Sequence, residues 1–283
     1  SSARPRMVAG EATPERTEIL RQQMNLDQPP TVRYLRWLGN YIRGDWGESL
    51  AGKRPVPEYV LARLQNTVTL ALFAIAVYIP ASLILGIVTA IYRERGFAIG
   101  LSVLMLIGTA VPTFVVGTVL LLVFAVTLPW FPPLTLMDQV DSFGELAHTL
   151  ALPTITLALS MTAYAVRMMQ TSLVPVMESE YIRTAILKGL PRNRVILFHA
   201  LPNALGPALR VTALNLAWLI GGVVLVETVF TFPGLGRLLV DSIRILDTPV
   251  IEAITMLMAG AYIVANLGAD LLSGLLNPRL RAS

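Results

Sequence analysis

The chain has no cysteine among its 283 residues, which excludes disulfides, thiolate nucleophiles and cysteine-ligated metals. Lysine occurs only at Lys53 and Lys188. No Gly-x-x-x-x-Gly-Lys-Ser/Thr pattern can be assembled from these two, so a phosphate loop of the Walker type is excluded. If ATP drives this protein, another chain binds it. Charge of both signs is scarce: 14% of the residues are charged, where a soluble globular chain carries about 25%. Internal repeats of 20–50 residues and low-complexity segments are also lacking, which argues against a solenoid or a tandem array.

What fills the chain instead is apolar. Hydrophobic residues make up 54% of it and the mean hydropathy is +0.64, the composition of an integral membrane protein. Residues 64–92 are uncharged and would form roughly 43 Å of helix, ample for a hydrocarbon core of about 30 Å. The pattern predicts five spans, at about 66–92, 98–127, 147–166, 206–226 and 251–272. The hinge "RERG" (93–96) separates the first two, and "PWFPP" (129–133) stops the second with aromatics suited to interface depth. The net charge of +4 is spread between hydrophobic runs rather than gathered on one face, so nucleic-acid binding is not implied.

Three further segments frame the spans. Residues 1–63 are polar, with ten Lys/Arg and seven Asp/Glu. Within them Tyr34, Trp37, Leu38 and Tyr41 share one helical stripe, either an amphipathic helix at the lipid–water boundary or part of a small soluble helical subdomain. A loop occupies 227–249, and a basic tail occupies 277–283. The hinge, the 167–210 region and the tail hold ten Lys/Arg, against Arg237 and Arg244 in the opposite loops. By the positive-inside rule the former are cytoplasmic. Parity then places residues 1–63 outside, which leads us to expect a further transmembrane helix preceding Ser1 and six spans in all.

The least membrane-like stretch is the basic, Pro/Gly-broken island at 168–205. A connector between helices in a bundle needs 2–8 residues, and this one takes about 38. Ile182, Ala185, Ile186 and Gly189 recur at helical spacing, and Gly189 suits a helical stop. Pro191 fits the first position of a second helix, whose apolar face would comprise Val195, Phe198 and Leu201 or Pro202. These features predict two short helices meeting at Gly189, packed on the bundle with a basic tip left free. The plainer reading is an ordinary helix–turn–helix connector.

The island resembles the signature of binding-protein-dependent ABC importer permeases, which runs Glu-Ala-Ala, three residues, Gly, nine residues, Ile, one residue, Leu-Pro. Here Thr184-Ala185 stand for the alanines, Gly189 and Leu201-Pro202 match, and Arg183, Thr184 and His199 depart from the pattern. "YIRTA", "KGL" and "HALPNA" are similar to the peptide-transporter branch. So are "LDQP" (26–29), "YLRWLGNYIRGDWGESL" (34–50), "ETVFTFPGLGRLLVDSI" (227–243) and "NLGADLLSGLLNPRLR" (266–281). The chain thus resembles the DppB/OppB-like permease subunits of dipeptide/oligopeptide ABC importers.

That resemblance implies an all-α type I importer transmembrane domain in the bacterial inner membrane. It implies peptide as the substrate and alternating access as the mechanism. The implied partners are a second, homologous permease subunit, two ATP-binding subunits and an extracytoplasmic peptide-binding protein. No cofactor is expected in this chain, ATP and Mg being held by the partners, and no catalytic or metal site. The island becomes a coupling element seated in an ATPase subunit, with Arg183, Thr184, Ala185, Lys188, Gly189, Leu190 and Arg192 as its contact residues. Nickel complexes, glutathione and opines are the alternative cargoes within the same family.

Outside the island, ionisable and polar residues at membrane depth are the remaining candidates. Glu227 would sit near the outer end of its span, where the resemblance suggests a loop folding back toward a pore mouth, as a gate or a binding-protein contact. Alternatively it pairs with Arg237 or Arg244. Asn215, Asn266 and Asp270 either line the translocation path or bond across helices, while Gly221, Gly222 and Gly260 suit close helix approach. His148 and His199 fall on opposite expected sides of the membrane, against a shared metal site. Two other classes were weighed. An ion-coupled secondary transporter would favour charged positions at mid-membrane, and none falls there. An intramembrane enzyme would require a convergent catalytic pair, which the sequence does not offer.

Overall fold

The computed structural model describes residues 29–135, 137 and 140–276. The expected features at 1–28, at Asp138 and in the tail 277–283 lie outside these residues. Every regular element among the described residues is helical. In chain order they are α1 (Pro30–Ile42), α2 (Val56–Ile91), α3 (Gly96–Ala110) and α4 (Thr113–Leu121), followed by α5 (Phe143–Met177), α6 (Glu180–Leu187) and α7 (Arg192–Val195), then α8 (Leu201–Val229), α9 (Leu235–Arg244) and α10 (Thr248–Leu276).

α2, α5 and residues Thr248–Gly268 of α10 are each long and apolar enough to cross a bilayer, and α3 with the α4 segment makes a fourth crossing if the bent pair counts as one span. The segment expected as the second span, 98–127, is broken: its two halves meet at 108°. The cause is Pro112, which has no N–H to continue the helix and holds Val111 extended (φ −85°, ψ 125°). α2 begins at Val56, ahead of the uncharged run, and α5 runs past the expected limit of 166 to Met177.

α5 is the central post. Of its apolar stretch 67% is buried, against 22% and 17% in α2 and α10, so α2, α3, α4 and α8 all pack on it. Within a bilayer such packing rests on close fit and interhelical hydrogen bonds rather than on hydrophobic expulsion. The closest glycine approach to α5 is at Gly86, where an added Cβ would lie 2.7 Å from the Met169 side chain. Among the described residues the glycines at 221, 222 and 260 make no such crossing: nothing lies within 4 Å of a Cβ at Gly221 or Gly260, and at Gly222 only Trp218 of the same helix does. Helical spacing of small residues marks where approach is permitted, and Met169 and Val166 decide where it happens.

The segment ahead of α2 is fastened to the far end of the chain. Tyr34, Trp37, Tyr41 and Trp46 form a ladder with ring centroids 5.3–6.0 Å apart. The Tyr41 hydroxyl donates to the Ala253 carbonyl at 3.1 Å, and burial pushes its phenol pKa above the usual range. Asp247, 2% exposed, accepts hydrogen bonds from the Ser49 hydroxyl and from the amides of Leu50 (3.0 Å) and Ala51 (3.4 Å). One carboxylate between α9 and α10 therefore holds the turn that leads into α2. Asp247→Ala should release this turn, because each hydrogen bond to a charged group contributes about 1.5–3 kcal/mol. The expected result is tryptic cleavage after Lys53 accelerated by at least about tenfold, equivalent to 1.4 kcal/mol; unchanged cleavage would show that the turn is held by something else.

Candidate functional site

The island folds as a knuckle. α6 ends in a Schellman motif: Gly189 takes φ +78°, its amide donates to the Ile186 carbonyl at 2.9 Å, and the Leu190 amide donates to the Ala185 carbonyl at 3.3 Å. Both orphan carbonyls are thereby satisfied, and Leu190 packs beside Ala185 as that motif favours. Glycine is favoured here because a Cβ in the left-handed region costs roughly 1–2 kcal/mol. Ile182, Ala185, Val195, Ala200 and Ala204 form a small core with Ala90 of α2 and Leu173 of α5. The knuckle is thus bolted to the ends of two long helices.

Two expectations for the knuckle are corrected. Pro191 is the residue before α7, with Arg192 its first helical position. The second arm is not a separate short helix either: from Val195 the chain continues through a π-helical turn, Ile196–Ala200, directly into α8. Pro202, with no N–H to offer, is accommodated by the wider turn instead of ending the helix. The widening also rotates the faces, so Val195 and Ile196 are buried while Phe198 is 71% exposed. On the first arm Ile186 and Leu187 point out as well, at 51% and 87% exposure.

The expected contact residues fall on both sides of this surface. Ala185 is buried, Leu190 half-buried, and Arg183, Thr184, Lys188, Gly189 and Arg192 are exposed. Arg183 lies 3.4 Å from Glu180 on its own helix. Arg192 donates to the Ile91 carbonyl at 3.4 Å, which ties the second arm to the end of α2. The tip is therefore a rigid, partly apolar projection with cations at its edge. Leu187 and Phe198, its most exposed apolar residues, went unnoticed as contact candidates because the helical stripe assigned Phe198 inward and left Leu187 unassigned.

A second constellation surrounds Glu227 and arises from the sharp return between α8 and α9. α8 ends in another Schellman motif, with Thr231 at φ +56° and the Phe232 amide bonded to the Glu227 carbonyl at 2.8 Å. Gly234 then precedes α9 at the capping position, and its missing side chain cannot cap the helix. Its first amides are capped from elsewhere. Thr67 Oγ1, on α2, accepts from the Leu235 amide at 2.8 Å and donates to Glu227 Oε1 at 2.6 Å. Glu227 Oε2 accepts from the Gly236 and Arg237 amides at 2.7 and 3.1 Å. Asn66 donates to the Pro233 carbonyl at 2.8 Å. A carboxylate at a helix N-terminus also meets the positive end of the helix dipole. A Cβ at Gly234 would lie 2.0 Å from Glu227 Oε1 and one at Gly236 2.5 Å from Val224 Cα, so both glycines make room for this closure.

Glu227 is therefore paired with backbone amides and a hydroxyl. The expected partner Arg237 lends it an amide, and the Arg237 guanidinium turns to the Thr231 carbonyl and to Asp241 (3.6 Å). Of the other polar candidates, Asn215 is buried and donates to the Tyr78 hydroxyl at 2.9 Å and the Met161 carbonyl at 3.5 Å, bridging α8 to α2 and α5. Asn266 donates to the Tyr262 carbonyl of its own helix at 3.0 Å, and Asp270 is exposed. His148 lies 3.0 Å from the Trp130 carbonyl. The structure does not bring Asn215, Glu227, Asn266 and Asp270 into one cluster.

A bundle around one buried helix, with a rigid basic projection at one end and a folded-back loop on α8, defines the class as a helical membrane transport subunit. The chain belongs to the family described as binding-protein-dependent transport system inner membrane component, which matches residues 82–282. It is 37% identical to a putative peptide transport system permease protein of Brucella abortus over 97% of this chain and 88% of that one. It is 38% identical to the oligopeptide transport system permease protein AppB of Bacillus subtilis, over 92% and 83%. The glutathione transport system permease protein GsiC of Escherichia coli is 36% identical over 98% and 88%. In fold it is similar to a chain of the inward-facing MetNI methionine ABC transporter, with a TM-score of 0.61 at 14% identity over 77% of this chain and 96% of that one. The fold is thus that of a type I ABC importer transmembrane subunit, and the family is one of inner-membrane transport components.

Proposed function

We propose that this chain is the permease subunit of a peptide importer, moving peptides into the cytoplasm by alternating access and coupled to partner ATPases through the knuckle around Gly189. The observation that carries the reading is the projection itself: helical on both sides of a fixed left-handed glycine, anchored to α2 and α5, and continuous with α8. A push on such a tip moves three long helices as a body rather than bending a loop. Peptide as cargo rests on the relatives named above; glutathione, itself a small peptide, is the second reading, supported by the 36% identical relative. Two ATP-binding subunits, a second permease subunit and an extracytoplasmic peptide-binding protein complete the proposed assembly. ATP and Mg stay on the partners, and this chain supplies no catalytic residue. We further propose five spans in the present sequence, with the knuckle on the cytoplasmic side.

The test is to purify the complex from its native membrane, identify the subunits by mass spectrometry, and measure ATP hydrolysis with binding protein and a peptide library. An attached ATPase stimulated by di- to oligopeptides is the expected result. Isolation without any ATP-binding subunit would overturn the reading, and stimulation by glutathione alone would replace the cargo.

A further inference from the structure

A second feature of the arginine-rich end lies apart from the knuckle contacts. Between α3 and α5 runs an open cavity of about 350 Å³. Its polar part is formed by Arg93, Arg167, Ser102 and Gln170, and its wall by Ile99, Val103 and Leu106. Gln170 donates to the Ser102 hydroxyl at 2.8 Å, which ties the two helices together beneath the arginines. Arg93 gives one N–H to Glu178 at 2.6 Å. Its Nε also lies 4.0 Å from Glu94; a guanidinium has five donors, so N–H groups remain for a further acceptor that shares Arg93 with these carboxylates. Among the described residues no carboxylate lies within ion-pair distance of Arg167. The apolar wall is half exposed, at 50–51% for Ile99, Val103 and Leu106.

Two cations lining an open groove, together with a strip of branched aliphatic side chains, complement one kind of molecule in a membrane. We propose that the groove holds an anionic phospholipid, its headgroup drawn by the arginines that line it, Arg93 and Arg167, and an acyl chain along Ile99, Val103 and Leu106. Juxtamembrane arginines attract anionic lipid, and basic pockets between transmembrane helices retain its headgroups. A free anion would use the arginines but leave the aliphatic strip without a partner. The site has a consequence for its surroundings. Arg93 also lines a neighbouring cavity of about 310 Å³ with Glu178 and Arg192, at the root of the knuckle. A phosphate on Arg93 competes with Glu178 for that guanidinium, so lipid charge bears on how the end of α5 is held. The proposal concerns α3 and α5 and stands whether or not the knuckle couples to an ATPase.

The assembled complex, exchanged into nanodiscs of phosphatidylcholine with phosphatidylglycerol, tests it by native mass spectrometry. Wild type should retain phosphatidylglycerol in preference to phosphatidylcholine. Arg93→Gln and Arg167→Gln should each lower that retention by about fivefold, as the contribution of one arginine near an anionic lipid implies, while Arg167→Lys keeps most of it. A photoreactive amino acid at Val103, with both arginines intact, should crosslink to lipid. Equal retention in the glutamine variants, displacement by inorganic phosphate, or crosslinking of position 103 to a protein subunit would each overturn the proposal.

Discussion

Replacing Gly189 by valine should abolish peptide uptake while the chain still inserts, assembles and leaves the ATPases able to hydrolyse ATP. Among the described residues nothing lies within 4 Å of the position a Cβ would occupy, so the substitution acts through the backbone and not through a clash with them. At φ +78° a β-branched residue is strongly disfavoured, by more than the roughly 1–2 kcal/mol that any L side chain meets there. The cheapest escape is to open the two hydrogen bonds of the Schellman motif, which swings α6 relative to α7 and detaches the exposed tip from its fixed pose. Because 1.4 kcal/mol is a factor of ten, uptake in proteoliposomes should fall at least about tenfold, with ATP hydrolysis no longer responding to cargo. Gly189→Asn supplies the control, since asparagine enters the left-handed region readily. If asparagine transports like wild type, the backbone angle is what matters. If it fails like valine, a partner must approach the glycine closely. Normal uptake by the valine variant would remove the knuckle from the coupling route.

The contrast between Gly189 and two other turns shows how far the sequence could be read. Three helices, α6, α8 and α9, end in the same left-handed motif. At the first the residue is glycine, so the stop was visible. At the other two it is Thr231 and Leu246, with φ +56° and +57°, residues that announce nothing of the kind. There the angle is imposed by tertiary bonds, from Glu227 and Thr67 at one end and Asp247 at the other. Those bonds join positions up to 198 residues apart, beyond any local pattern.

Hydropathy located the long helices, because charge is costly in lipid at every position along a span. It could not place the bend at Pro112 or the π-helical passage from the knuckle into α8, because both keep the composition apolar while changing the backbone. The polar candidates divide in the same way. Asn215 reads in the sequence either as a path-lining residue or as a bond across helices, and its partner, Tyr78, comes from another helix. Asp247 was overlooked, because an acid in a loop looks solvated until Ser49 and two amides are folded over it.

The largest effect on stability is expected at Glu227. Its carboxylate accepts three hydrogen bonds, from Thr67, Gly236 and Arg237, and is fully buried. Glu227→Ala leaves the Gly236 and Arg237 amides at the start of α9 with no acceptor, each costing about 1–3 kcal/mol, so a total loss of about 2–6 kcal/mol is expected. The checks are the apparent unfolding temperature in detergent and hydrogen exchange of the amides of residues 235–237, which should lose protection together. Glu227→Gln retains the shape but trades one acceptor oxygen for a donor that faces donors, and should fall between wild type and alanine. Thr67→Ala should lose less, and the pair should be non-additive, because Thr67 and Glu227 share one network. This ordering also separates scaffold from gate. A scaffold role predicts that transport falls in proportion to stability across the series. A gating role predicts that the glutamine variant, while still folded, alters transport out of proportion to its stability. An alanine variant that is as stable as wild type and keeps those amides protected would sink the capping argument at its root.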